Sequence, residues 1–303
     1  GIRGTAASGI LITPEWFHAK KTKSNGELYS PIRWSFAQPK ARFFAVYPNV
    51  ESYSKMTINN TDATSGSPSV DFEVNSDVTK QVDLMTASTG DVEYTTQFQH
   101  PTTNLDFRHA LTGIRFAVGQ NLSWNKTIDK VELRNAVMKS KYVLSKQFNG
   151  TGAAWDHSSD TRGNATLSGV SVSTSVSPNT TIMGNAGDNY TFYMIPQQLT
   201  NKGVTAYVHC TDGTEITVPL KGEWKAGTTR TYKLSQTNST WEYVLTPTDP
   251  SRAANYDETQ SQAYGITSYR EDPATHQQQA VAWKVVGYDA NNDGTFSMAE
   301  KPA

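Results

Sequence analysis

The residues whose types and spacing could do chemistry lie near the end of the chain, in Asp289-Ala-Asn291-Asn-Asp293-Gly294-Thr295-Phe-Ser297-Met-Ala-Glu300. A twelve-residue loop can wrap a calcium ion with oxygens from positions one, three, five, seven, nine and twelve, with glycine at six for the sharp turn. Asp289, Asn291, Asp293, Ser297 and Glu300 place side-chain oxygens at one, three, five, nine and twelve. Thr295 places a backbone carbonyl at seven, and Gly294 falls at six. Asn, Asp and Gly also build ordinary hairpin turns, because they bond or relax their own backbone. The preceding stretch, Val281-Ala-Trp-Lys-Val-Val-Gly-Tyr288, is β-branched and aromatic and reads as a strand, where an EF-hand has a helix. A plain turn and a calcium loop both stay open.

No other group of residues has a reactive spacing. The six histidines are scattered, with no His-Glu-x-x-His or similar metal pattern. Cys210 is the single cysteine, so no internal disulfide is available, and its phase with Val208 reads as a buried thiol. No nucleophile elbow, phosphate loop or dinucleotide fingerprint is present, and the expectation is a protein that is not an enzyme. Tryptophans can stack on sugar rings, and Trp155, in a polar stretch, is the candidate sugar-binding residue. Asn-x-Ser/Thr sequons recur from Asn59 to Asn238, as a chain rich in Asn and Thr produces by composition.

Such sites need a scaffold, and composition points to strands. Of 303 residues, 36% are hydrophobic and only 18% charged, the polar remainder being rich in Thr, Ser and Asn. Thr suits a pleated surface and Asn and Ser suit turns. A net charge of −1 gives nucleic acid no purchase. No stretch approaches the ~20 apolar residues of a membrane helix. The opening Gly1-Ile-Arg reads as a mature or trimmed start, and the ending at Ala303 as one after which the natural chain continues.

Strand patterns recur at Ala41-Arg-Phe-Phe-Ala-Val-Tyr47, Ser69 to Val74, Leu105 to Val118 and Tyr190 to Pro196. Val204 to Leu220 reads as a hairpin around Thr211-Asp-Gly213. The inward phase slips between Leu111 and Ile114, which predicts a bulge or sharp bend at Gly113. Asn149 to Gly163 reads as a loop. The expected fold is all-β, with an antiparallel β-sandwich over 1–103 and a second over 104–236. A linker over 237–263 comes next, and then the start of a third, immunoglobulin-like β-domain over 264–303.

Four motifs then carry a resemblance. Asp83-Leu-Met-Thr-Ala87, Leu105-Asp-Phe-Arg-His-Ala-Leu-Thr-Gly-Ile-Arg-Phe-Ala-Val118, Phe192-Tyr-Met-Ile-Pro-Gln197 and Trp224-Lys-Ala-Gly-Thr-Thr-Arg-Thr-Tyr-Lys-Leu234 occur in that order. Together they resemble the fimbrillin-like (Mfa-like) family of surface pilins and adhesins of anaerobic gut and oral bacteria, over about residues 1–236. The resemblance implies transthyretin-like tandem sandwiches, export as a lipoprotein, and display at the outer membrane and cell surface. It implies partnership with other pilus subunits by strand exchange, with a host or bacterial surface ligand as a further partner. It also implies protease trimming after an arginine near the start, for which Arg3 is the candidate. The extra tail favours a tip, anchor or non-polymerising member. A carbohydrate-binding surface lipoprotein is the alternative, and calcium is the one cofactor the residues raise.

Overall fold

Runs of β-branched and aromatic residues favour a pleated, half-buried backbone, and the computed structural model follows them. It describes residues 40–59, 67–93, 103–119, 125–176, 180–182 and 191–236, with scattered positions between 23 and 30 and the strand backbones at 243–247, 269–271 and 278–280. In chain order the strands are β1 (Lys40–Ala41), β2 (Phe44–Tyr47), β3 (Met56–Asn59), β4 (Ser69–Glu73), β5 (Met85–Ser88), β6 (Val92–Glu93), β7 (Arg108–His109), β8 (Thr112–Val118) and β9 (Thr127–Val143). They continue with β10 (Ala154–Ser173), β11 (Phe192–Met194), β12 (Thr205–Cys210), β13 (Glu215–Pro219), β14 (Thr229–Gln236), β15 (Tyr243–Pro247), β16 (Tyr269–Glu271) and β17 (Gln278–Ala280). Among the described residues the one helical turn is the 3-10 turn Val78–Lys80, whose cap Asp77 accepts from the Thr79 amide. The chain is all-β, as its composition predicts.

Two long strands organise it. β9 and β10 pair antiparallel almost from end to end. On its other side β9 meets two strands in succession: β12 pairs with residues 128–134 and β4 with residues 139–143. β13 extends β12, and β3 extends β4. A second layer has matching parts, β11-β8-β14-β15 and β2-β5-β7. Most pairings are antiparallel, but β14 runs parallel to β8. One core cluster takes Phe116, Phe192 and Tyr232 from the first part of that layer and Leu84 beside the second. It takes Leu133, Val208, Phe72 and Tyr142 from the sheet built on β9.

The hydrogen bonding crosses the division expected between Gln97 and Leu105. Val70, from the first expected domain, pairs with Tyr142 from the second. Two sandwich-like halves exist, but both use β9 and β10, so neither half is one continuous stretch of sequence. The expected linker also holds structure, because β15 lies inside it and pairs with β14. Pro247 ends this edge strand, where no ladder amide is needed. Of the expected third domain only the pairing of β16 with β17 is described.

The expected bulge at Gly113 is not there: Gly113 pairs in register with Tyr193 and with Thr229. The break falls at Ala110 and Leu111, both buried, between β7 in one sheet and β8 in another. The phase slip is real, and a change of sheet causes it. The expected loop at 149–163 is corrected too, since β10 begins at Ala154. The Val204 to Leu220 hairpin holds, with Ala206 opposite Val218 and Val208 opposite Ile216.

Candidate functional site

The joint between the two halves sits on β9. Its buried residues alternate at Val131 and Leu133 before Asn135, and at Ala136, Met138, Ser140 and Tyr142 after it, with Glu132 and Val137 buried as well. That change of parity needs one extra residue in the strand. Asn135 supplies it with φ of 56°, a left-handed conformation that Asn tolerates better than most residues. Its amide donates to Asn164 Oδ1 at 3.0 Å, and its side chain donates to the Lys202 and Gly203 carbonyls at 3.2 Å.

Between the last residue that β9 pairs with β12, Arg134, and the first it pairs with β4, Lys139, a side chain stands in for a strand. Gln197 is buried, accepts from the Val137 amide at 2.8 Å and donates to the Val137 carbonyl at 3.3 Å. It therefore makes both ladder bonds that a neighbouring strand would make, and it closes the motif Phe192-Tyr-Met-Ile-Pro-Gln197. Gln81 works similarly at β11, accepting from the Tyr193 amide at 2.7 Å and donating to the Asn75 carbonyl at 2.9 Å. The other motifs also frame the joint. Asp83, just before β5, pairs with His109 of β7, and Trp224 donates to the Tyr232 hydroxyl at 3.1 Å. Burial pushes the Asp83 carboxyl above its ordinary range, against the pull of His109.

Sheet edges are where a β-protein meets other chains. The register of β10 jumps from Asp156 opposite Lys141 to Thr161 opposite Lys139, which loops His157 to Asp160 out of the ladder. Bulges and polar residues of this kind discourage pairing. β11 is capped by Gln81, and β13 and β15 end in Pro219 and Pro247. Among the described residues β7 carries no such device and forms the edge of β2-β5-β7. Just before it, Leu105 and Phe107 are each 41% exposed. Arg108 turns aside to hold Asp106 at 2.8 Å and the Phe148 carbonyl at 3.1 Å.

Trp155 lies in β10, opposite Tyr142, where the sequence reading expects a loop. Its indole donates to the Ala110 carbonyl at 2.7 Å. Its ring lies 5.0 Å from Tyr142 and 6.3 Å from Phe72. These are the contacts of a packing residue at the change of sheet. Cys210 is buried, and burial first, then the Asp212 charge, push its thiol up to about 11. Lys126, almost fully buried, donates to Asp212 at 2.5 Å and to Thr214 at 2.8 Å. Burial raises the Asp212 carboxyl, but hydrogen bonds from Lys126 and from the Thr214 amide, with the Lys126 charge, win and hold it at about 2. Arg3 and residues 289–300 lie outside the described residues.

Comparison with known proteins identifies the family. The fimbrillin-like family matches residues 5–248, and the chain belongs to that family. No curated protein is similar to it in sequence. Among solved structures it is similar to a candidate cell adhesion protein from Bacteroides uniformis, with 14% identity, a TM-score of 0.41, and coverage of 69% of this chain and 72% of that one. A candidate cell adhesion protein from Bacteroides ovatus shows 15% identity, a TM-score of 0.39, and coverage of 69% and 66%. Another, from Bacteroides fragilis, shows 14% identity, a TM-score of 0.31, and coverage of 83% and 94%. These likenesses are remote, and the family assignment rests on the sequence match.

Proposed function

We propose that this chain is a cell-surface fimbrial subunit or adhesin, a tip, anchor or non-polymerising member, that joins other pilus subunits by β-strand addition and is exported as an outer-membrane lipoprotein. Family membership supports the general role, and the edge at β7 supports the mode of assembly. An added strand gains affinity from main-chain hydrogen bonds and specificity from alternating side chains. Leu105 and Phe107 alternate beside an edge on which the described residues place none of the prolines, bulges or side-chain caps of β10, β11, β13 and β15. An incoming strand with apolar residues at every second position fits that pattern. The sugar-binding alternative would rest on Trp155, whose half-buried ring packs against Tyr142 and Phe72.

The test is co-purification with a fimbrillin-like subunit from the same bacterium, comparing the wild type with Leu105→Lys/Phe107→Lys. The expected result is a stable complex with the wild type and none with the double variant, at equal melting temperature. Equal complex formation by both would move the assembly edge elsewhere. Protease shaving of intact cells and labelling with a radioactive fatty acid check surface display and lipidation of the full-length precursor.

A further inference from the structure

The fimbrillin-like match ends at residue 248, and the sharpest chemical motif of the chain lies beyond it. We propose that residues 289–300 bind calcium, with Asp289, Asn291, Asp293, Ser297 and Glu300 giving side-chain oxygens and Thr295 its backbone carbonyl. Three observations carry this.

The first is the ligand set. The spacing Asp-x-Asn-x-Asp-Gly-x-x-x-x-x-Glu matches the calcium-loop pattern at every constrained position. A turn alone needs Asn, Asp or Gly at only a few adjacent positions. It does not require a carboxylate at the twelfth, six residues past the glycine. In a calcium loop that residue supplies two oxygens at once and completes the shell. Three carboxylates around one ion repel one another, and a divalent cation removes that repulsion.

The second is a helix-start signature at the ninth position. Ser297-Met-Ala-Glu300 has the spacing of a capping box. A calcium loop of this kind hands over to its exiting helix at this point. The entering side, Val281 to Tyr288, has a strand composition. A loop entered from a strand-type sequence is less preorganised than one held between two helices, and its affinity belongs at the weak, extracellular end of the calcium range. Calcium is preferred over magnesium because the loop offers more oxygens than magnesium's strict octahedron accepts.

The third is the absence of competitors. Among the described residues no group of His, Cys, Asp and Glu could hold a metal ion. Variants within the loop assign a saturable site to it.

The experiment uses the full 303-residue chain. Calcium chloride and magnesium chloride are titrated separately by calorimetry. Terbium luminescence, excited through the neighbouring Tyr288, gives a second readout. The expected result is one calcium site with a dissociation constant of roughly 0.1–1 mM and much weaker magnesium binding. Glu300→Gln should weaken calcium by about tenfold or more, because ligand charge sets affinity. Asp289→Ala should do the same. The main melting transition should be unchanged in both variants without calcium. No calcium heat and no terbium signal at several millimolar would overturn the proposal, and so would equal binding by wild type and Glu300→Gln. Neither outcome bears on strand addition at β7.

Discussion

Single side chains give this protein measurable behaviour. Asp212 is held at about 2 in the folded chain, below the 3.8 of a free carboxyl. A depressed carboxylate stabilises the fold above its unfolded value, and that contribution fades as pH falls from about 4 through about 2. Asp212→Asn should therefore flatten the loss of melting temperature between those pH values, followed by circular dichroism at stepped pH. Cys210, buried with its thiol raised to about 11, should resist a thiol reagent at pH 8 in the native protein and react fully in denaturant. Trp155→Ala should destabilise the fold by about 3 kcal/mol, the low end for a large aromatic because the ring is half-buried. Thermal or urea unfolding measures that, and Trp155→Phe, which loses mainly the bond to Ala110, should cost about 1 kcal/mol.

Strands and their joints show which signals the sequence carried. The parity slip at Leu111 and Ile114 was legible, because strand side chains alternate with a strict period of two. Its cause was not, since a bulge and a change of sheet leave the same local pattern. The corresponding slip at Asn135 leaves no such local trace. A single Asn in a polar-apolar strand looks like any surface residue until its φ is known. Asn135→Ala should cost about 1 kcal/mol through the left-handed backbone, and Asn135→Gly should be better tolerated. Gln197 was part of a motif, but its use as a substitute strand depends on Val137, far away along the chain. Gln197→Leu should leave both Val137 ladder groups unpaired and cost about 2 kcal/mol or more. Hydrogen exchange of the Val137 amide by NMR should rise more than that of Val131, which β12 still holds.

Two sandwich-like halves hung on one long hairpin should unfold together. Heating should give a single cooperative transition for residues 40–247, and a fragment starting at residue 104 should fail to fold, because β9 then lacks β4 along residues 139–143. A folded 104–236 fragment with a sharp calorimetric transition would restore the division at about residue 103. The all-β class, the hairpin at Thr211 to Gly213, the buried thiol and the family motifs were readable in the chain, because each depends on local alternation, turn chemistry or a short run of residues. The sharing of β9 by β4 and β12 was not, and neither were the parallel pairing of β8 with β14 and the packing of Trp155 against Tyr142 and Phe72. Each depends on which distant backbone lies alongside, and alternation tells which way a side chain faces without naming the strand it faces beside.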